Sequence, residues 1–157
     1  MGQVLTAHTD GACKGNPGPG GWAVVFSIQG EITSEHSGHE PHTTNNRMEL
    51  AGIREAIARC PEGAAREIAT DSQNAIGWLS GGFKRKKPAI VAMCRAIDVL
   101  IRKQRLGGGT LTFRHVRGHH GNRLNERADK LATDAANDIV VSATQLGEPQ
   151  VPTESGG

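Results

Sequence analysis

Polar and apolar side chains alternate from the start of the chain. Over residues 3–10 (QVLTAHTD) this places Thr6, His8 and Asp10 on one face of a strand and Leu5, Ala7 and Thr9 on the other. WAVVFSI over 22–28 predicts a second strand, Gly30 a turn, and 31–38 a third strand. Links this short imply an antiparallel meander. Between the first two strands lies GNPGPGG over 15–21. Its prolines fix φ and its glycines admit unusual φ, so a loop of definite shape is expected.

After residue 43 the period lengthens. Thr43 or Thr44 is placed to cap a helix running to about residue 58, with Leu50, Ile53 and Ile57 on its core face. The sequence Cys60-Pro61-Glu62-Gly63 ends it, and REIAT over 66–70 predicts a short strand that delivers Asp71. A short helix is expected from Ser72 until GGFKRKK breaks it. Pro88 then opens a longer helix whose core face is Ile90, Met93, Ile97 and Ile101. Gly107–Gly109 stops that helix, and TLTFRHV over 110–116 predicts a fifth strand. The polar loop RGHHGNR leads to a last helix over about 122–136, with Leu124, Ala128, Leu131 and Ala135 inward. Residues 1–136 read as one domain, and 137–157, where Gly, Pro, Ser and Thr accumulate, as a disordered tail. Three strands followed by alternating helices and strands predict an α/β fold, a mixed five-stranded sheet with helices packed on it.

Composition changes this picture little. At 157 residues, with 36% hydrophobic and 22% charged side chains, the chain can bury a core in one domain. Aromatics are only 3%, so Val, Ile, Leu and Ala must fill that core. The net charge is +2, but the last 21 residues hold three acids and no Lys or Arg, leaving +5 on the remainder. A mildly basic body suits a polyanionic partner. Cys13, Cys60 and Cys94 are odd in number and contain no CxxC pair, which argues against a disulfide framework or a zinc site. No leader segment or membrane span is evident, and a cytoplasmic monomer is expected.

The informative chemistry is four scattered acids. They are Asp10 in HTDGACKGNPGPGG, Glu49 in TTNNRMEL, Asp71 in ATDSQNA and Asp129 in NERADKLA. Each is set in or beside regular structure among small polar residues. Brought together, such carboxylates would repel one another unless divalent cations held them. An oxygen-only ligand set suits Mg²⁺ or Mn²⁺, and a pair of such ions can drive in-line attack on a phosphate. The main chain around Gly11 and Cys13 and the amides of Asn16, Asn45, Asn46 and Gln73 can both donate and accept hydrogen bonds beside these acids.

These words together resemble ribonuclease H of type 1, the bacterial ribonuclease HI group. The matches are TDG with GNPGPGG, TTNNRMEL, TDSQ, and VRGH followed by NERADKLA, in order over residues 4–136. The resemblance implies the ribonuclease H-like fold, with three antiparallel strands, then parallel strands, and helices on both faces. It implies hydrolysis of the RNA strand of an RNA–DNA hybrid, leaving a 3′-hydroxyl and a 5′-phosphate. Asp10, Glu49, Asp71 and Asp129 become the ligands of two Mg²⁺ ions, with Mn²⁺ able to substitute. His119, in the VRGH word, becomes a mobile histidine that assists proton transfer or product release. Asn16, Asn45 and Gln73 become hybrid contacts, and Thr44 with Asn16 a phosphate pocket for the DNA strand.

One departure stands out. Many bacterial members carry a long basic, Trp-rich protrusion where this chain has only WLSGGFKRKKP; Trp78, Phe83 and Lys84–Lys87 read as its remnant. Two alternatives compete with the nuclease reading: a non-catalytic hybrid-binding module, and another nuclease of the same fold, of integrase or resolvase type.

Overall fold

The structure, a computed structural model, describes residues 3–117 and 122–146. Strand β1 (Leu5–Cys13) pairs antiparallel with β2 (Gly18–Ile28), which pairs antiparallel with β3 (Glu31–Thr43). Then follow α1 (Asn45–Arg59), β4 (Ala65–Thr70), α2 (Gln73–Ser80), α3 (Pro88–Leu106), β5 (Thr110–His115) and α4 (Arg123–Leu146). Strands β4 and β5 join parallel to β1, giving one mixed sheet of order β3-β2-β1-β4-β5. The expected fold class is the one observed.

Alternation along the strands sorts two cores. Ala7, Trp22, Val24, Phe26 and Ile68 bury against Leu50, Ile53 and Ile57 of α1 and Ile90, Ile97 and Ile101 of α3. The other face carries α4, packed on β1, β2 and β3. That packing is close: a β carbon at Gly21 would stand 2.7 Å from the main-chain nitrogen of Ala136 and 2.8 Å from the β carbon of Ala135. Only small side chains fit such a contact, so the buried residues of α4 among the described side chains are Asn125, Ala128, Ala132, Ala135 and Ala136. Leu124 and Leu131, expected inward, are only half-buried at the margins of this stripe. On α3, Cys94 is fully buried and Met93 only partly so.

Four boundaries differ from expectation. Strand β1 continues to Cys13 and β2 begins at Gly18, because the glycines of the turn-rich run pair across the hairpin, Cys13 with Gly20 and Ala12 with Gly21. Strand β3 runs on through Pro41, which an edge strand tolerates because its outward N–H is not needed. Helix α4 passes residue 136 and reaches Leu146, since 137–146 (NDIVVSATQL) contains neither Gly nor Pro and the first breaker is Gly147. The tail expected from 137 is therefore helical over its first ten residues, and 147–157 lie outside the described residues.

Candidate active site

Two glycine contacts set the site. A β carbon at Gly11 would stand 2.5 Å from the main-chain nitrogen of Glu49, and one at Gly52 would stand 3.2 Å from the Asp10 carbonyl oxygen. Helix α1 therefore lies directly on β1, and Glu49 in its second turn reaches Asp10. Asp10 is inside β1 rather than at its end, but pairing of β1 with β4 stops at His8. Beyond that point the sheet opens, and Asp10 faces the gap. Asp71 follows the last residue of β4, on the far side of the same gap.

Carboxylate oxygens of Asp10, Glu49 and Asp71 lie within 4.8 Å of one another. Asp129, from the second turn of α4, lies beside Asp10 and raises its proton affinity, but is outside the trio whose oxygens all lie within 4.8 Å of one another. Helix α4 is clamped to the sheet two residues earlier, where Arg127 donates to both carboxylate oxygens of Glu35 on β3, at 2.7 and 2.9 Å. The four predicted acids thus arrive from β1, α1, the end of β4 and α4.

Such crowding shifts proton affinity. Burial, then the Asp71 charge, then the hydrogen bond with Asp129 push Asp10 up to about 8, against a small opposing effect of the 2.8 Å bond from the Gly11 N–H. Burial and the charges of Asp10 and Asp71 hold Glu49 well above the ordinary carboxylate range. Glu49 Oε1 is buried and accepts no hydrogen bond. Buried carboxylates whose mutual repulsion is relieved only by protons, with one oxygen left unpartnered, fit a divalent cation that would displace those protons. The ligand set is oxygen only, as Mg²⁺ and Mn²⁺ require.

The predicted substrate residues line a rim beside the acids. Asn16 sits in the tight β1–β2 turn with φ of 24°, and its Oδ1 accepts from the Asn45 N–H at 2.9 Å. Thr44 caps α1 by accepting from the Arg47 N–H at 3.3 Å, and Ser72 caps α2 by accepting from the Ala75 N–H at 3.1 Å. Asn45 and Gln73 are the exposed first residues of these two helices. Neither helix has an acid in its first turn, so both N-termini favour an anion. The Cys13 thiol is turned inward, donating to the carbonyls of Thr43 at 3.3 Å and Gly18 at 3.5 Å. That orientation leaves Cys13 main-chain groups, rather than sulfur, to meet a ligand. His119 lies outside the described residues; the strand that precedes its loop ends beside the site, where the Val116 N–H donates to Thr70 O at 2.9 Å.

Sequence reasoning missed two supports. Asn74 Nδ2 donates to Asn46 Oδ1 at 3.5 Å and links the first turns of α1 and α2. The Arg127–Glu35 pair joins residues 92 apart, and no local pattern announces it. Beside Asn46, the shortened basic run forms a groove of about 480 Å³ lined by Trp78, Phe83, Lys84, Lys86 and Lys87. Arg85 takes no part, being bonded to Asp98 and to the Trp78 carbonyl.

Comparison with known proteins gives a consistent picture. The RNase H family pattern matches residues 2–137. Ribonuclease H of Rhodopseudomonas palustris strain TIE-1 is 41% identical over 81% of this chain and 85% of its own. Among solved structures, RNase H1 from the halophilic archaeon Halobacterium salinarum NRC-1 superposes with a TM-score of 0.70 at 30% identity, over 86% of this chain and 98% of its own. LC11-RNase H1, solved in complex with an RNA/DNA hybrid, gives a TM-score of 0.75 at 25% identity, over 87% and 99%.

Proposed function

The chain belongs to the ribonuclease H family, and from that premise we propose that it cleaves the RNA strand of RNA–DNA hybrids internally, leaving 3′-hydroxyl and 5′-phosphate ends. The observation that carries this reading is the meeting of Asp10, Glu49 and Asp71 within 4.8 Å, with Asp129 beside Asp10. A pure binding module gains nothing from buried like charges, whereas phosphodiester hydrolysis does. The structural neighbour solved with a hybrid supports the substrate class.

In this reading the four acids would hold two Mg²⁺ ions, for which Mn²⁺ would substitute, with Asp10 central because Glu49, Asp71 and Asp129 all lie near it. When bound, such ions lower the pKa of an attacking water and neutralise charge on the leaving 3′-oxygen. The chain's own residues do the remaining work. Gly11, Cys13, Asn16, Asn45 and Gln73 orient the hybrid through main-chain and amide groups and read the 2′-hydroxyl of the RNA strand. Thr44 and Asn16, at the N-terminus of α1, receive a phosphate of the DNA strand. His119 moves a proton or assists product release. Nothing among the described residues points to base-edge readout, so cutting is largely independent of sequence. Residues 1–136 form the catalytic domain, acting as a cytoplasmic monomer in a compartment where the three free thiols stay reduced. No helix among the described residues is long and apolar enough to cross a membrane.

The test is cleavage of an RNA–DNA hybrid carrying a 5′ label on the RNA, beside single-stranded RNA, duplex RNA and duplex DNA. Each is run with Mg²⁺, with Mn²⁺ and with chelator, using wild type and Asp10→Asn. Metal-dependent cutting of hybrid RNA alone, lost in the variant, is expected. Binding without cutting in either metal would favour a hybrid-binding module, and cutting of duplex or branched DNA an integrase or resolvase activity.

A further inference from the structure

The most exposed large apolar side chains among the described residues lie together on α3. Leu106 is 80% and Val99 66% exposed, where core residues of the same helix are below 10%. They alternate along one helix face with Arg95 and Arg102 at spacings of three and four. Asp98 on this face is already held by Arg85, at 2.7 and 3.0 Å. Among the described residues Arg95, Arg102 and Arg105 have no carboxylate partner, although Arg105 donates to the Leu111 carbonyl at 3.1 Å. Beside this face a groove of about 580 Å³ runs between α3 and β5, floored by Leu79, Ile101 and Phe113 and rimmed by Arg102 and Arg105. Strand β5 is a sheet edge, so the main chain on its outer side has no strand partner among the described residues.

The groove is remote from the catalytic acids. The end of α3 sits at the start of the parallel strands, where the Thr110 N–H donates to Ala64 O, whereas Asp71 follows the end of β4. The arrangement suits a peptide better than a nucleic acid. Its floor is apolar, with Ile101 buried and Leu79 and Phe113 half-buried, so it offers no fully exposed ring for a base to stack on.

We propose that the α3–β5 groove is a docking site for an extended acidic segment of a partner protein. Its alternate aliphatic side chains rest over Leu79, Ile101 and Phe113, its carboxylates meet Arg102 and Arg105, and its main chain lies along the open edge of β5. Steering by the arginines makes the association sensitive to salt.

The experiment is fluorescence anisotropy of a short fluorescein-labelled peptide in which aspartate alternates with leucine, titrated with the full chain. A lysine–leucine peptide serves as control. Saturable binding of the acidic probe is expected, weakened about tenfold by Arg102→Glu and by Leu106→Asp, both exposed positions that leave hybrid cleavage intact. Asp10→Asn should bind the probe as wild type does. Three results would overturn the proposal: no saturable binding, equal binding of the lysine peptide, or indifference to both substitutions. Displacement of the probe by a DNA oligonucleotide would also overturn it and make this face a nucleic-acid contact.

Discussion

Gly11 rests on the main chain of Glu49, so near that any β carbon at residue 11 would lie 2.5 Å from the Glu49 nitrogen. The atoms it would meet are backbone and cannot rotate away. Residue 11 therefore fixes how far α1 stands from β1, and with it the separation of the Asp10 and Glu49 carboxylates. Gly11→Ala is expected to push the two elements apart, costing about 2 kcal/mol of stability and more in activity than that figure alone implies. Thermal melts and hybrid cleavage at a temperature where the variant is folded would check this. Unchanged kcat in a folded Gly11→Ala protein would mean that the separation has slack.

The metal-free site stores unfavourable charge. Because Asp10 is raised from 3.8 to about 8, its contribution to the stability of the metal-free protein is full below pH 4 and is lost as pH rises towards 8. Asp10→Asn removes that loss. It should abolish cleavage, by on the order of 10²–10³-fold or more, while raising the melting temperature in chelator at pH 8. Wild type should release protons on taking up Mg²⁺ near neutral pH, seen as a dependence of calorimetric heat on buffer ionisation. A variant both inactive and less stable in chelator would contradict this account.

Much of this was legible before the fold was known. Leu50, Ile53 and Ile57 advertise α1 by their spacing, and alternation around Asp10 puts it on the polar face of β1. What periodicity could not reveal was distance between elements. Leu124 and Leu131 look like the inward residues of α4, yet the helix turns its alanines to the sheet because Gly21 admits close approach only there. The end of α4 was obscured for a different reason: polar residues after 136 resemble a tail, although no breaker occurs before Gly147. Long-range supports such as Arg127 with Glu35 have no local signature.

His8 is 3% exposed, and its Nδ1 is buried without a hydrogen-bond partner. Burial, reinforced by the Arg114 charge and only partly offset by Glu67, lowers it from 6.5 to about 4. The unfolded chain therefore takes up this proton before the folded one does. Stability should be unaffected by this group above pH 6.5 and should fall progressively as pH drops towards 4, by up to about 3 kcal/mol. Urea titrations of wild type and His8→Gln between these limits would measure it. The wild-type curve should slope more steeply with pH, and parallel curves would remove His8 from the acid lability of the fold.

Lys84, Lys86 and Lys87 line the groove next to Asn46, close to the helix N-termini assigned to the hybrid, while Arg85 is tied to Asp98. Solvated lysines near a phosphate track contribute by releasing counterions rather than by orienting the reacting group. Replacing all three with alanine should therefore raise KM and leave kcat nearly unchanged. The slope of log affinity against log salt should become shallower, by up to about 0.9 for each lysine that meets a phosphate. A change in kcat at fixed KM would instead mean that the groove positions the RNA strand at the acids. An unchanged salt slope would mean that these lysines are simply a solvated face, and that this short chain holds its substrate through the rim of Asn16, Thr44, Asn45 and Gln73 alone.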